Sequence, residues 1–191
     1  MGTNYIEEQS FSHINFAENE LTGEEYENCK FFICNFSNAN LSGINFIDCE
    51  FNGCNFSLTN LTKTGMRDIK FIDCKLLGLH FNTCKDFLFA VSFQNCLLNI
   101  SSFYKLKLKK TIFISTKLEE VDFTETDLSS SVFDNCDLSK TIFENTILQK
   151  VDFRTAYNYS INPEKNNIKK AKFSLPEVVG LLNNYDIEIQ Q

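Results

Sequence analysis

Tryptophan is absent from this 191-residue chain, proline and histidine each occur twice and glycine seven times, while phenylalanine occurs 20 times. His13 and His80 have no third histidine and no acidic cluster beside them, which excludes a histidine-based metal site. No glycine-rich, phosphate-cradling stretch is present and no nucleophile sits near a histidine, so the chain reads as a non-enzyme without a cofactor. Met1 to Gln9 show neither a basic start nor an apolar run, which argues against a signal or transit peptide. Ile6 stands where myristoylation requires Ser or Thr. No apolar stretch approaches the roughly 18 residues of a membrane span. A soluble, cytoplasmic protein with no membrane partner is expected.

The formal net charge of −7 disfavours direct nucleic-acid binding, which requires neutralising phosphates. That charge is uneven. Residues 1–27 hold seven acids and no Lys or Arg; residues 99–118 hold five lysines (105, 107, 109, 110, 117) and no acid. Residues 119–152 hold nine acids against Lys140 and Lys150.

What is abundant is periodic. Every fifth residue from Phe11 to Phe81 is large and apolar, and after a two-residue slip the series resumes from Leu88 to Phe153. These 29 positions take 16 of the 20 phenylalanines. Two residues before each stands a mostly small or β-branched side chain, as in Cys29, Cys34, Ala39, Cys54, Thr64, Val91, Thr116 and Cys136. No helix or strand has period five. One large and one small inward residue per five, with polar residues between, describes a chain that turns a corner in every repeat, and four corners close a square.

Ala39-Asn40-Leu41, Cys54-Asn55-Phe56, Val121-Asp122-Phe123, Thr126-Asp127-Leu128, Cys136-Asp137-Leu138 and Val151-Asp152-Phe153 are similar to the unit of the pentapeptide-repeat family: a small residue, Asn or Asp, Leu or Phe, then two variable residues. The resemblance covers roughly residues 9–156 and implies an all-β, right-handed quadrilateral β-helix of about 20 residues per coil. Residues 20 apart should then stack, giving a little over seven coils and one column of Phe11, Phe31, Phe51, Phe71, Phe93, Phe113, Phe133 and Phe153. The domains expected are a solenoid over 1–156, with an irregular first coil and a slip at 82–87, and a cap and dimerisation segment over 157–191.

All eight cysteines fall at the small inward position, spaced by five or twenty rather than as zinc ligands, so they read as small hydrophobes. Stacking at twenty places Lys30 beside Glu50 beside Lys70, and pairs Lys105 with Glu125, Lys107 with Asp127, Lys117 with Asp137 and Glu120 with Lys140. Glu119, Asp122, Glu144 and Asp152 are left as acids without a stacked cation, and are candidate partner contacts. The slip residues Lys85, Asp86 and Phe87 are a second candidate contact. Asn19 and Glu24 fall at inward positions, where an unpaired carboxylate is costly, so the first coil should bulge to bring both to water.

After Arg154 the pattern changes. Ser174-Leu175-Pro176-Glu177 has the form of a capping box, and Leu175, Val178, Val179 and Leu182 recur at helical spacing. Tyr185, Ile187 and Ile189 alternate with Asp186 and Glu188 as in a short strand. This tail should cap the solenoid. It is similar to the segment that joins two subunits in topoisomerase-protecting members of the family, which implies a homodimer through Leu175, Val178, Val179, Leu182, Ile187 and Ile189. The same resemblance implies a rod that mimics duplex DNA, binds DNA gyrase or topoisomerase IV and counters poisons such as fluoroquinolones. The lysine band at 99–118 breaks any continuous acidic strip. The other reading is a protein-interaction scaffold with no topoisomerase partner.

Overall fold

The computed structural model describes residues 4–185 and 187–190, and every structural statement below refers to these. Short parallel strands stack directly above one another. Strands β1 (Tyr5–Glu7), β3 (Glu25–Glu27), β5 (Asn45–Ile47) and β7 (Gly65–Arg67) form one face. Strands β2 (Ser10–Ser12), β4 (Lys30–Phe32), β6 (Glu50–Asn52), β8 (Ile69–Ile72), β9 (Val91–Gln94), β10 (Ile112–Ile114) and β11 (Val132–Asp134) form a seven-stranded second face. Isolated parallel bridges hold the remaining two, one running Asn15, Asn35, Asn55, Lys75, Leu97, Lys117, Asp137 and the other through His80, Ser102, Asp122, Ile142. The register is 20 residues per coil, as in Phe31↔Phe51 and Phe113↔Phe133. The result is a quadrilateral β-solenoid.

Each corner is made by a local backbone device. At most corners the second residue after the large inward one lies in the left-handed region, as at Asn38 (φ 59), Ile100 (φ 62) and Glu125 (φ 56). The Asn or Asp before the large residue closes the turn: Asn35 Oδ1 accepts from the Ser37 N–H at 3.1 Å, and Asp122 Oδ1 from the Thr124 N–H at 2.9 Å. A short side chain that bonds its own backbone two residues on favours such turns. The small inward residues satisfy carbonyls of the coil before. Thr126 Oγ1 donates to the Phe103 carbonyl at 2.8 Å, and Cys136 Sγ to that of Phe113 at 3.4 Å. Small donors therefore fit this narrow interior better than alanine would.

The large inward residues stack in columns. In the first, ring centroids lie 4.7 Å apart from Phe31 to Phe51, 5.3 Å from Phe93 to Phe113 and 4.7 Å from Phe113 to Phe133. Successive phenylalanines of one coil meet edge to face, as Phe113 does Phe123 at 6.0 Å. All eight cysteines are free and buried. Asn19 and Glu24 reach the surface, as expected, Asn19 just after a turn over residues 16–18 and Glu24 at a separate bend.

Three features depart from expectation. First, the large inward residue after the slip is Phe89 at 9% exposure, whereas Leu88 is 53% exposed with φ 56. Cys84 keeps its inward place, three residues are inserted before Phe89, and only Ala90 separates Phe89 from the next inward residue, Val91. Insertion of three and deletion of one add up to the slip of two. Second, the winding does not stop at residue 156. The seven strands span six turns, bridges Val132↔Asp152 and Asp152↔Lys172 carry the face further, and Phe173 stacks on Phe153 at 5.5 Å. Third, the expected helix over 175–182 is a single 3₁₀ turn, Val178–Leu181. Gly180 is buried against Tyr159 and accepts from the Ile161 N–H at 3.0 Å, so contact with the last coil, and the poor helix propensity of glycine, outweigh the helical pattern. Residues 187–190 form no strand, and Asp186 lies outside the described residues.

Candidate functional site

The filled interior leaves the outer surface for function. Among the described residues no group of three or more His, Cys, Asp or Glu is placed to hold a metal ion, and no helix is long and apolar enough to cross a membrane. Burial pushes the thiols of Cys49, Cys84 and Cys136 up to about 12. They are protonated at neutral pH, the wrong form for a nucleophile or metal ligand.

Three of the four acids expected to lack a cation have one. Glu119 lies 3.5 Å from Lys140, which also meets Glu120 at 3.0 Å. Glu144 lies 3.0 Å from Lys165, and Asp152 lies 2.8 Å from Arg154 and 3.6 Å from Lys172. Arg154 grips Asp152 by Nε and Nη2, at 2.9 and 2.8 Å, and this holds the carboxyl down at about 2. The missed partners Lys165 and Lys172 belong to the coil that the repeat pattern excluded. Their positions 21 and 20 residues beyond Glu144 and Asp152 were the signal that could have found them. Asp122 alone faces no cation within ion-pair reach, and meets Ser102 Oγ at 3.3 Å. Asp127 pairs with Lys109 at 3.2 Å rather than with Lys107. Lys105–Glu125, at 3.4 Å, and Glu120–Lys140 form as the register requires. The expected pairs Lys30–Glu50–Lys70 and Lys117–Asp137 make no ion pair within 4.0 Å; against its burial, the Asp137 carboxyl is lowered by hydrogen bonds from Ser139 and Asn158, with Lys117 adding the smallest part.

Charge is therefore distributed in zones. Acids without cations gather on the first two coils, lysines gather around residues 105–117, and ion pairs dominate the C-terminal third.

The inserted loop is a large irregularity midway along the shaft. Lys85 donates to Asn45 Oδ1 at 2.7 Å and so ties the loop to β5. Phe87 is 79% exposed at its crest, next to Leu88 and Asp86. Below the crest, Phe87 and Leu88 wall a groove of about 260 Å³ floored by Phe46, Ile47 and Met66.

At the C-terminal end, the expected dimer residues Leu175, Val179, Leu182, Ile187 and Ile189 are all exposed, Leu175 at 86%, while Val178 is half-buried. Tyr185 adds a sixth exposed apolar side chain and bonds Glu164 at 3.0 Å.

The profile of the family described as pentapeptide repeat region matches residues 24–86, 44–121 and 86–157. The chain belongs to the pentapeptide-repeat family. Among curated proteins no sequence matches it. Two structures of trypsin-treated QnrB1 variants, described as a plasmid-mediated fluoroquinolone resistance protein, share its fold. One superposes with a TM-score of 0.62 at 17% identity over 100% of each chain, the other with 0.61 at 18% identity over 98% of each. HetL, a pentapeptide-repeat protein of the cyanobacterium Nostoc sp. strain PCC 7120, gives 0.49 at 15% identity over 90% of each chain. At such identities the likeness establishes the fold alone.

Proposed function

We propose that this pentapeptide-repeat protein acts by binding rather than catalysis, and that its partner is a type II DNA topoisomerase, DNA gyrase or topoisomerase IV, which it protects from poisons such as fluoroquinolones. The observation that carries this reading is the end-to-end likeness of its solenoid to QnrB1, a fluoroquinolone resistance protein. A rigid rod with a filled core offers a partner a fixed surface and loses little conformational freedom on binding. The homodimer belongs to the same reading, with the exposed apolar tail as its seam.

The contact we assign differs from a continuous DNA-like strip. Ion pairs neutralise Glu144 and Asp152, Glu119 shares Lys140 with Glu120, and lysines interrupt the shaft, so long-range mimicry of duplex charge is weak. The contact falls instead on the acidic first coils, on Asp122 and on the loop Lys85-Asp86-Phe87. The test is DNA supercoiling by gyrase with and without a fluoroquinolone. The wild type should restore supercoiling, and Phe87→Ser should weaken the rescue. Asp122→Asn should weaken it too, since asparagine keeps the acceptor for the Thr124 N–H and removes only the charge.

The zoned charge favours a second reading, a protein-interaction scaffold with no topoisomerase partner. On that reading the wild type gives no rescue at all.

A further inference from the structure

The deletion that accompanies the loop reshapes the neighbouring edge of the rod. At each other corner between the faces of β7 and β8, two residues separate consecutive inward ones, as Arg67 and Asp68 do Met66 and Ile69, or Lys109 and Lys110 do Leu108 and Thr111. Only Ala90 stands between Phe89 and Val91, and the edge is dented there, leaving an open depression of about 310 Å³. The lost residue also breaks the ladder. Along this edge, the corner amides of Asn28, Asp48, Lys110, Ser130 and Lys150 each donate to a carbonyl of the next coil. At the dent the Ala90 carbonyl is taken by the Ile69 N–H at 3.0 Å, and the Asp68 N–H is left with no acceptor among the described residues.

Lysines rim this depression on both sides: Lys70 from the coil before, Lys107, Lys109 and Lys110 from the coil after. Lys109 shares its charge with Asp127, while Lys70, Lys107 and Lys110 have no carboxylate within ion-pair reach among the described residues. Asp68 is the only acid that lines the dent. Unpaired cations, a free backbone donor and a concave floor together make a receptor for carboxylates.

We propose that this dent binds an acidic segment of a partner polypeptide in extended conformation. The two lysine rims are two coils apart, about 9.6 Å at the strand spacing. Alternate residues of an extended chain lie about 6.8 Å apart on one face, so two acids of one strand reach both rims through the flexible lysine stems. A long polyanion is disfavoured. The net charge of −7 and the seven acids of residues 1–27 repel it, while a short segment meets only the local lysines. The inference is independent of whether a topoisomerase is the partner.

The test uses fluorescein-labelled hexaglutamate and anisotropy, on the full chain at low and physiological salt. Binding should weaken as salt rises. The triple change Lys70→Gln, Lys107→Gln, Lys110→Gln should lower affinity at least tenfold. The charge-matched change Lys150→Gln, Lys169→Gln, Lys170→Gln, further along the rod, should lower it less than twofold. Inserting one glycine after Ala90 restores the corner while keeping every lysine, and should also abolish binding; circular dichroism checks that each variant is folded. Equal losses from the two triple changes, full binding by the glycine insertion, or no binding by the wild type would overturn the proposal. So would tighter binding of an oligothymidylate to the same lysines, which would make the ligand a nucleic acid.

Discussion

Phe113→Ala tests the solenoid core at its middle. Phe113 is fully buried, stacked between Phe93 at 5.3 Å and Phe133 at 4.7 Å, with Phe103 and Phe123 edge-on at 6.4 and 6.0 Å. Burying about 150–250 Å² of aromatic side chain at about 25 cal/mol per Å² contributes about 4–6 kcal/mol, an upper bound because unfolded chains are partly compact. Measured deletions of buried Phe fall at about 3–5 kcal/mol. Relaxation here is hindered, because rings above and below are held by their own strands, so the upper half of that range is expected. Urea denaturation followed by circular dichroism gives the loss, with the slope compared to check that one transition is being measured. The matched surface change is Glu125→Gln, which removes the exposed pair with Lys105 and should cost under about 1 kcal/mol. Equal losses at the two positions would refute the assignment of inward and outward residues, and a Phe113→Ala loss below about 1 kcal/mol would refute the stacking argument.

Other consequences are equally open to measurement. Ile100 is 66% exposed and holds φ 62, a left-handed conformation that disfavours β-branched residues, so Ile100→Gly should stabilise by about 1 kcal/mol in the same assay. The eight buried thiols should resist a maleimide at neutral pH and react only on unfolding; rapid labelling of the native protein would contradict their structural role. Asp152, held at about 2 by Arg154, has a folded value below its unfolded one. Its stabilisation is therefore present above pH ~4 and is lost as pH falls from there through 2. Carboxyl NMR should show Asp152 ionised well below pH 3, and Arg154→Gln should raise its midpoint. Deleting residues 175–191 should convert a dimer to monomers or an aggregating protein by light scattering; a full-length monomer at micromolar concentration would remove the dimer and leave the tail as a cap.

The period of five, the columns of phenylalanine and the burial of every cysteine were legible in the residues themselves. Stacking at a fixed interval repeats each side chain's environment, so one-dimensional spacing carries the three-dimensional fold. Two of the register-predicted ion pairs, Lys105–Glu125 and Glu120–Lys140, follow from the same rule. Tertiary structure decided what the repeat does not specify. The frame of five pointed to Leu88, but the inward place fell to Phe89, whose ring packs edge-on to Phe81 at 6.4 Å. The last coil is hidden in sequence because Tyr159, Ile161, Asn166 and Phe173 reach inward at broken spacing, yet main-chain bridges to the coil below keep it in line. That coil supplies Lys165, which pairs with Glu144, and Lys172, which joins Arg154 at Asp152. The helical spacing of the tail was overruled by a glycine pressed against Tyr159. Local pattern sets what a segment prefers, and contact with the coil beneath it sets what the segment becomes.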